Sequence, residues 1–344
     1  MKVETDTKLD FNDVLIRPKR TKLSSRSEVN LEREIYFPIS KQYWKGVPII
    51  AANMDTVGTY DVYKVLSKHK IITAFHKFYN LRDFENMEDL DPEYFAISTG
   101  ISDYDFTKLK EMMERNFGSR VKFICIDVAN GYMDKLVEFC KKVREMCPNK
   151  ILIAGNVVSR EVTEELILNG GIDIVKVGIG PGSACLTRTQ TGVGMPQLSA
   201  IMECADAAHG VNGFIIGDGG ITCPGDLAKG FGGGADFIMI GGQFAGHDEN
   251  PGEIHDINGE KYKLFYGMSS EKAMQKHYGK MDKYRSSEGR CIKIKYKGSL
   301  EETVLNYLGG LRSTCTYINA KNVKNISKCT TFIKVNRQLN TIFA

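Results

Sequence analysis

Cys185 lies in the run Gly178-Ile179-Gly180-Pro181-Gly182-Ser183-Ala184-Cys185-Leu186-Thr187-Arg188, which is too rich in glycine to be a packed core. A cysteine acts as a nucleophile when partial exposure and positive local potential favour its thiolate. Backbone N–H groups of such a loop, with Arg188, could supply that potential. A free cysteine is otherwise a small buried hydrophobe. That is how we read the other eight: Cys125, Cys140, Cys147, Cys204, Cys223, Cys291, Cys315 and Cys329. Two further stretches, Asp218-Gly219-Gly220 and Gly241-Gly242, let backbone donors approach an anion such as phosphate. Asp218 could accept both hydroxyls of a ribose. Glycine pairs also make plain tight turns; two of them at corresponding places favour phosphate. Asn53-Met54-Asp55, His76-Lys77, Asp127-Val128-Ala129-Asn130-Gly131 and Gly155-Asn156 complete the polar clusters.

Each cluster follows a short apolar run. Eight such runs, rich in Val and Ile, cover 47–52, 71–75, 94–97, 121–126, 151–154, 174–177, 213–216 and 237–240. Continuous rather than alternating apolar character is expected of strands buried on both faces. Amphipathic stretches of helical length separate most of them, at 103–117, 132–146, 160–169 and 197–209. Strand and helix in alternation predict the α/β class. Eight strands are the number that closes into a (β/α)8 TIM barrel, which we favour over an open doubly wound sheet. Barrels carry their chemistry on the loops after the strands, and phosphate on the loops after strands seven and eight. The polar clusters fall in those places. We expect one domain over residues 1–344, with the barrel at about 47–243 and a C-terminal segment at 299–344. Between them, residues 244–298 are long, polar and glycine-bearing, and should form a flap over the barrel mouth. The Lys-rich tail after Asn319 is expected on the surface.

The loop GIGPGSACLTRTQTGVGMPQ resembles the signature loop of the IMP dehydrogenase and GMP reductase family. So do LDFNDVLIRPKR, ANMDTVG, FICIDVANGY, AGNVV, DGG, GADFIMIGG, LFYGMSS and GGLRSTCTY, so the resemblance runs nearly the whole length. Three features point to the reductase branch. The chain lacks a domain-sized regulatory insertion after the early strands. The stretch TGVGMPQLSAIMECADAAHG is similar to the reductase form, and YRSSEG carries a Glu, Glu288, where the dehydrogenases carry a Gln. Leu186, Met195 and Gly217 depart from the reductase pattern, but none removes a group that the chemistry needs.

The resemblance implies NADPH-dependent reductive deamination of GMP to IMP and ammonia through a covalent bond to Cys185. It implies Thr187 and Glu288 as the proton-transfer pair, and Lys77 as a group that holds the cofactor or moves protons near it. It places GMP against Ser183, Asp218, Gly219, Gly220, Gly241, Gly242, Gly267, Met268, Ser269, Arg285, Ser286, Ser287, Glu288 and Gly289. It places NADPH against Ser25, Arg26, Lys77, Asp127, Val128, Ala129, Tyr284, Ser313, Thr314, Cys315 and Thr316. Carbonyls of Gly180, Gly182 and Cys185, with Arg188, resemble a site for a monovalent cation such as potassium. A homotetramer is expected by the same analogy. The alternatives are an IMP dehydrogenase lacking its regulatory domain, which would use NAD and an activated water, and a nucleotide-binding barrel without turnover.

Bulk composition agrees with a globular enzyme. Of 344 residues, 42% are hydrophobic and 26% charged, and the net charge of +4 suits an anionic ligand but is too weak to point to nucleic acid. No run reaches membrane-span length, and the first ten residues carry charges without an apolar core, so no signal peptide is read there. Nine cysteines, an odd number with no CxxC, point to a reducing compartment, and we expect a cytoplasmic protein. The chain has no GxGxxG strand-turn-helix element, so a dinucleotide should not bind in Rossmann fashion.

Overall fold

The computed structural model describes residues 1, 3–279 and 286–336. Eight parallel strands close into a barrel: Ile49–Ala51, Ile72–Ala74, Phe95–Thr99, Phe123–Asp127, Ile151–Val157, Ile174–Val177, Phe214–Asp218 and Phe237–Ile240. Each overlaps one of the eight apolar runs. Their continuous apolar character has the expected cause. One set of side chains, including Ile50, Ile72, Cys125, Ile153, Ile174 and Met239, fills the barrel interior. The other set, including Ile49, Ile124, Leu152, Val175 and Ile238, packs outward under the helices.

The helices Asp103–Glu114, Asp134–Met146, Arg160–Leu168 and Gln197–Gly210 match the four amphipathic stretches. Shorter ones, Tyr60–Leu66, Leu81–Glu85 and Pro224–Gly232, complete the alternation, and Leu300–Ile318 follows strand eight after the long insertion.

A hairpin, Arg33–Phe37 with Gln42–Gly46, closes the N-terminal mouth of the barrel. Its alternating pattern turns Ile35, Phe37 and Trp44 inward. Phe37 meets Phe214, and Trp44 meets Phe123 and Phe237, the first residues of three barrel strands. With that end stoppered, ligands have only the C-terminal face.

Residues 244–279 and 286–298 carry more secondary structure than their composition suggests. They carry a three-stranded antiparallel sheet, His255–Ile257, Glu260–Tyr266 and Cys291–Lys295, and a helix, Glu271–Tyr278. Polar anchors tie this insertion to the barrel rim. Asn250 Nδ2 donates to the carbonyls of Thr56 (3.0 Å) and Phe244 (2.9 Å). Buried Asp55 accepts from Tyr266 Oη (3.0 Å), Lys276 Nζ (2.9 Å) and His277 Nε2 (2.7 Å). Burial works against the charged form of Asp55, yet these donors hold its carboxyl below the ordinary range.

The tail after Asn319 also differs from expectation. Ala320, Val323 and Ile326 are buried, and Phe332–Lys334 pairs antiparallel with Val14–Ile16. Its lysines face outward while a few apolar residues between them reach the helix layer, a spacing too sparse to read as a periodic pattern.

Candidate active site

The loop after strand six must turn sharply under Asp218. A side chain on Gly178 would stand 2.2 Å from the Asp218 carbonyl oxygen, so the position requires glycine. Seven residues on, the Cys185 N–H donates to the Gly182 carbonyl (3.0 Å), and a short helix, Thr187–Thr191, follows. This turn leaves Cys185 half-buried at the head of a cleft of about 1240 Å³.

The returning arm of the insertion lies directly over the loop. Leu186 N–H donates to the Glu288 carbonyl (2.6 Å), Arg290 N–H to the Ala184 carbonyl (2.9 Å), and the Arg290 guanidinium to the Ser183 carbonyl (2.8 and 3.0 Å). A Cβ on Gly267 would meet the Ala184 carbonyl oxygen at 3.0 Å, so glycine is what lets the two backbones approach. The arm brings Glu288 to a residue 101 positions earlier. The Cys185 thiol donates to Thr187 Oγ1 (3.2 Å), and the Thr187 hydroxyl donates to Glu288 Oε2 (2.8 Å). Thiol, hydroxyl and carboxylate form a continuous proton path.

Other thiols are placed differently. Burial pushes Cys125, Cys140 and Cys315 up to about 12, and Cys204 up to about 11. Cys147 is buried too, but against the sequence reading Cys223 and Cys291 are exposed and Cys329 is half-buried, because they sit on a turn, a sheet edge and the C-terminal segment rather than in the core; none of the three lines the cleft. Among the described residues that line the cleft, Cys185 is the one cysteine.

Most of the residues named from sequence meet in this one cleft. Lys77, Ser183, Thr187, Glu288, Asp218, Gly219, Gly220, Gly241, Gly242, Gly267, Met268, Ser269, Ser286 and Gly289 line it, as do Asp127, Val128, Ala129, Gly180 and Gly182. Ser286 Oγ donates to Gln190 Oε1 (3.0 Å). Ser287 is turned away from the cleft, donating to the Gly289 carbonyl (2.7 Å).

Others are not brought there. Arg188 does not line the cleft; its guanidinium donates to the Met195 carbonyl (2.8 Å) and pairs with Asp10 (3.3 Å), so it is not aimed at the Cys185 thiol. Ser25 caps the turn Arg26–Glu28, which packs against the helix Leu300–Ile318 that carries Ser313, Thr314, Cys315 and Thr316. None of these six lines the cleft, and the Cys315 side chain is fully buried. Tyr284 and Arg285 lie outside the described residues.

Lys176 was missed from sequence because it sits inside an apolar strand. Its ammonium, 4% exposed, reaches Asp127 Oδ1 (2.7 Å), Asp218 Oδ2 (2.8 Å) and Asn156 Oδ1 (3.0 Å) in the cleft floor. The signal was there: a lysine in a strand buried on both faces must find partners. Among the described residues no group of three or more His, Cys, Asp or Glu could hold a metal ion, and no helix is long and apolar enough to cross a membrane.

Comparison with known proteins decides the family. The profile described as the IMP dehydrogenase / GMP reductase domain matches residues 8–339. The chain belongs to that family. GMP reductase 1 of Mus musculus is 55% identical over 345 residues, which cover 99% of this chain and 99% of that protein. GMP reductase 1 of Homo sapiens is 55% identical over 346 residues, covering 100% and 99%. The GMP reductase of Aeromonas hydrophila is 54% identical over 347 residues, again covering 100% and 99%. All three span the barrel, the insertion and the C-terminal segment at full length.

Proposed function

We propose that the chain is a GMP reductase, which deaminates GMP reductively to IMP and ammonia at the expense of NADPH. The observation that carries this reading is the Cys185–Thr187–Glu288 path, assembled at the head of a single cleft with room for a nucleotide and a nicotinamide side by side.

The geometry supports the following sequence. Cys185 passes its proton through the Thr187 hydroxyl to Glu288, and the thiolate adds to carbon 2 of the purine, moving the C=N electron pair onto the ring nitrogen. Glu288, through Thr187, returns the proton to the amino group on the same carbon. The amino nitrogen then leaves as ammonia with its bonding pair, the C=N bond re-forms, and the purine is held to Cys185 as a thioimidate. Reduced nicotinamide, when bound, supplies hydride to carbon 2. Collapse of that adduct expels the thiolate and releases IMP. A covalent intermediate divides one difficult displacement into two easier ones.

Asp218 accepts the ribose hydroxyls, and Ser183 with the glycines at 219–220 and 241–242 surrounds the phosphate. Gly267, Met268, Ser269, Ser286 and Gly289 bound the purine from the insertion side. Lys77, Asp127, Val128 and Ala129 line the same cleft and suit the cofactor. In a homotetramer, Ser25, Arg26, Ser313, Thr314 and Thr316 would meet cofactor bound in a neighbouring copy, since they do not reach the cleft of their own chain, whereas the buried Cys315 side chain would not. A monovalent cation such as potassium would draw on the carbonyls of Gly180, Gly182 and Cys185. Neutral oxygens suit a large, weakly charged ion, and the Gly182 oxygen, which accepts the Cys185 N–H, keeps a second lone pair.

The test is to incubate the chain with GMP and NADPH, then with IMP and NAD, and follow nicotinamide absorbance. Oxidation of NADPH with release of ammonia in the first case is the expected result. Reduction of NAD in the second case alone would make the chain a dehydrogenase. GMP binding without turnover in either would reduce it to a nucleotide-binding barrel.

The phosphate loops give a further prediction. Unit charges about 4 Å apart repel by roughly 4 kcal/mol near a protein surface, so Gly241→Glu should weaken GMP binding by about 100- to 1000-fold. Gly241→Ala should bind nearly as the natural chain does, because its Cβ would meet side-chain atoms only at Met54 Sδ (3.3 Å), Ala52 Cβ (3.6 Å) and Phe265 Cζ (3.9 Å). Calorimetric titration with GMP measures both. Unchanged affinity in Gly241→Glu would mean that these glycines only make turns.

A further inference from the structure

Lys176 takes no part in the covalent steps, yet it is the buried cation of the cleft floor. It stands on strand six, between Asp127 at the end of strand four and Asp218 at the end of strand seven. An ammonium has three protons, and the three short contacts to Asp127, Asp218 and Asn156 use them all. Asn156 tightens the arrangement: its Nδ2 donates to Asp218 Oδ2 (2.9 Å) and to the Gly178 carbonyl (2.8 Å). One oxygen of each carboxylate is thereby held inward; Asn53 also hydrogen-bonds Asp127, and the second oxygen of Asp218 is left for a ligand. Both Asp127 and Asp218 line the cleft.

The charges support one another. Two carboxylates sharing a floor repel, and without a cation one of them would take up a proton. Burial alone would lower Lys176, but the two carboxylates push it well above the ordinary lysine range. Burial alone would raise Asp127, but Lys176 holds it below the ordinary carboxylate range. Lys77 is the next cation towards Asp127, and Cys125, a neutral thiol, lies close to the Lys176 ammonium.

We infer that Lys176 is a positioning residue for both ligands at once, a single ammonium that orients the ribose carboxylate Asp218 and the cofactor-side carboxylate Asp127, so that the two half-sites are built on one shared ion. This rests on the nucleotide and cofactor reading given above. A residue serving only one ligand, or only the fold, would affect one affinity or neither.

The test uses calorimetric titration of the full chain with GMP and, separately, with NADP+. Hydrogen bonds to charged groups are each worth enough that Lys176→Met should weaken both ligands by about 10- to 100-fold. Lys176→Gln, which keeps two donors but no charge, should also weaken both. In either variant GMP affinity should rise between about pH 6 and about pH 8 more steeply than in the natural chain, because the facing carboxylates become fully ionised there in addition to the phosphate, whose second ionisation near pH 6 affects every form alike. Asp127→Asn leaves the ammonium paired with Asp218 and makes the floor neutral, so it guards against a loss of folding in the other two. It should shift GMP affinity by at least about threefold, although Asp127 belongs to the cofactor half, because groups in one ion network couple. Loss of only one affinity in Lys176→Met, a pH profile no steeper than that of the natural chain, or unchanged GMP affinity in Asp127→Asn overturns the inference. A natural chain that binds neither GMP nor NADP+ defeats the functional reading instead.

Discussion

Replacing Cys185 by alanine is expected to abolish turnover, by about a million-fold, the scale seen when a covalent nucleophile is removed. GMP affinity should stay within about an order of magnitude, because the groups assigned to ribose and phosphate stand on other loops. The cleft geometry makes this separation sharp. Asp218 is held by Lys176 and Asn156, and the glycines at 241 and 242 follow strand eight, so neither depends on the thiol. Mass spectrometry of acid-quenched natural enzyme should find a purine nucleotide on the peptide containing Cys185 and on none containing Cys204 or Cys223. Turnover retained in Cys185→Ala would end the covalent mechanism.

Glu288→Gln is expected to lower GMP deamination by about 100- to 10,000-fold, the usual contribution of a general acid–base group. The amide keeps the shape and can still accept the Thr187 hydroxyl, so the 2.8 Å contact and nucleotide binding should survive. What it cannot do is take up a proton and return it to the departing nitrogen. Hydride transfer needs no proton in its own step, and the thiol can lose its proton to water beforehand. The half-reaction from IMP and NADP+ without ammonia should therefore persist in Glu288→Gln. Equal loss of both half-reactions would make Glu288 a structural residue of the insertion. Loss of neither would place the acid elsewhere.

The barrel was legible because strands buried on both faces must be continuously apolar, and eight such runs stand out against amphipathic helices. Two elements were not. The hairpin Arg33–Phe37 and Gln42–Gly46 alternates like any surface strand pair, and nothing local says that Trp44 and Phe37 plug a barrel. The insertion reads as a polar loop because its buried apolar residues, such as Phe265 and Ala273, are few and form no stripe, while Asn250, Lys263 and Tyr266 are buried through hydrogen bonds. Lys176 was passed over for a related reason. A charged residue inside an apolar run declares that it has partners, but not which.

Sequence by itself determined the parts list and its order. Cys185 and Thr187 are two residues apart in one glycine-rich turn, and the loops after strands seven and eight carry their glycines because turn chemistry is local. Tertiary structure alone decided three things. It brought Glu288 across 101 residues to Thr187, through backbone pairing of the insertion with the Cys185 loop. It set Asp127 and Asp218, from strands four and seven, on either side of one ammonium. It also turned Arg188 onto Asp10 and the Met195 carbonyl, and kept Ser25, Arg26 and the 313–316 stretch out of the cleft. The reason is common to all three. Which side chains share a site depends on strand order, on the direction each turn faces and on where an insertion folds back, and those are settled by packing between segments distant in the chain.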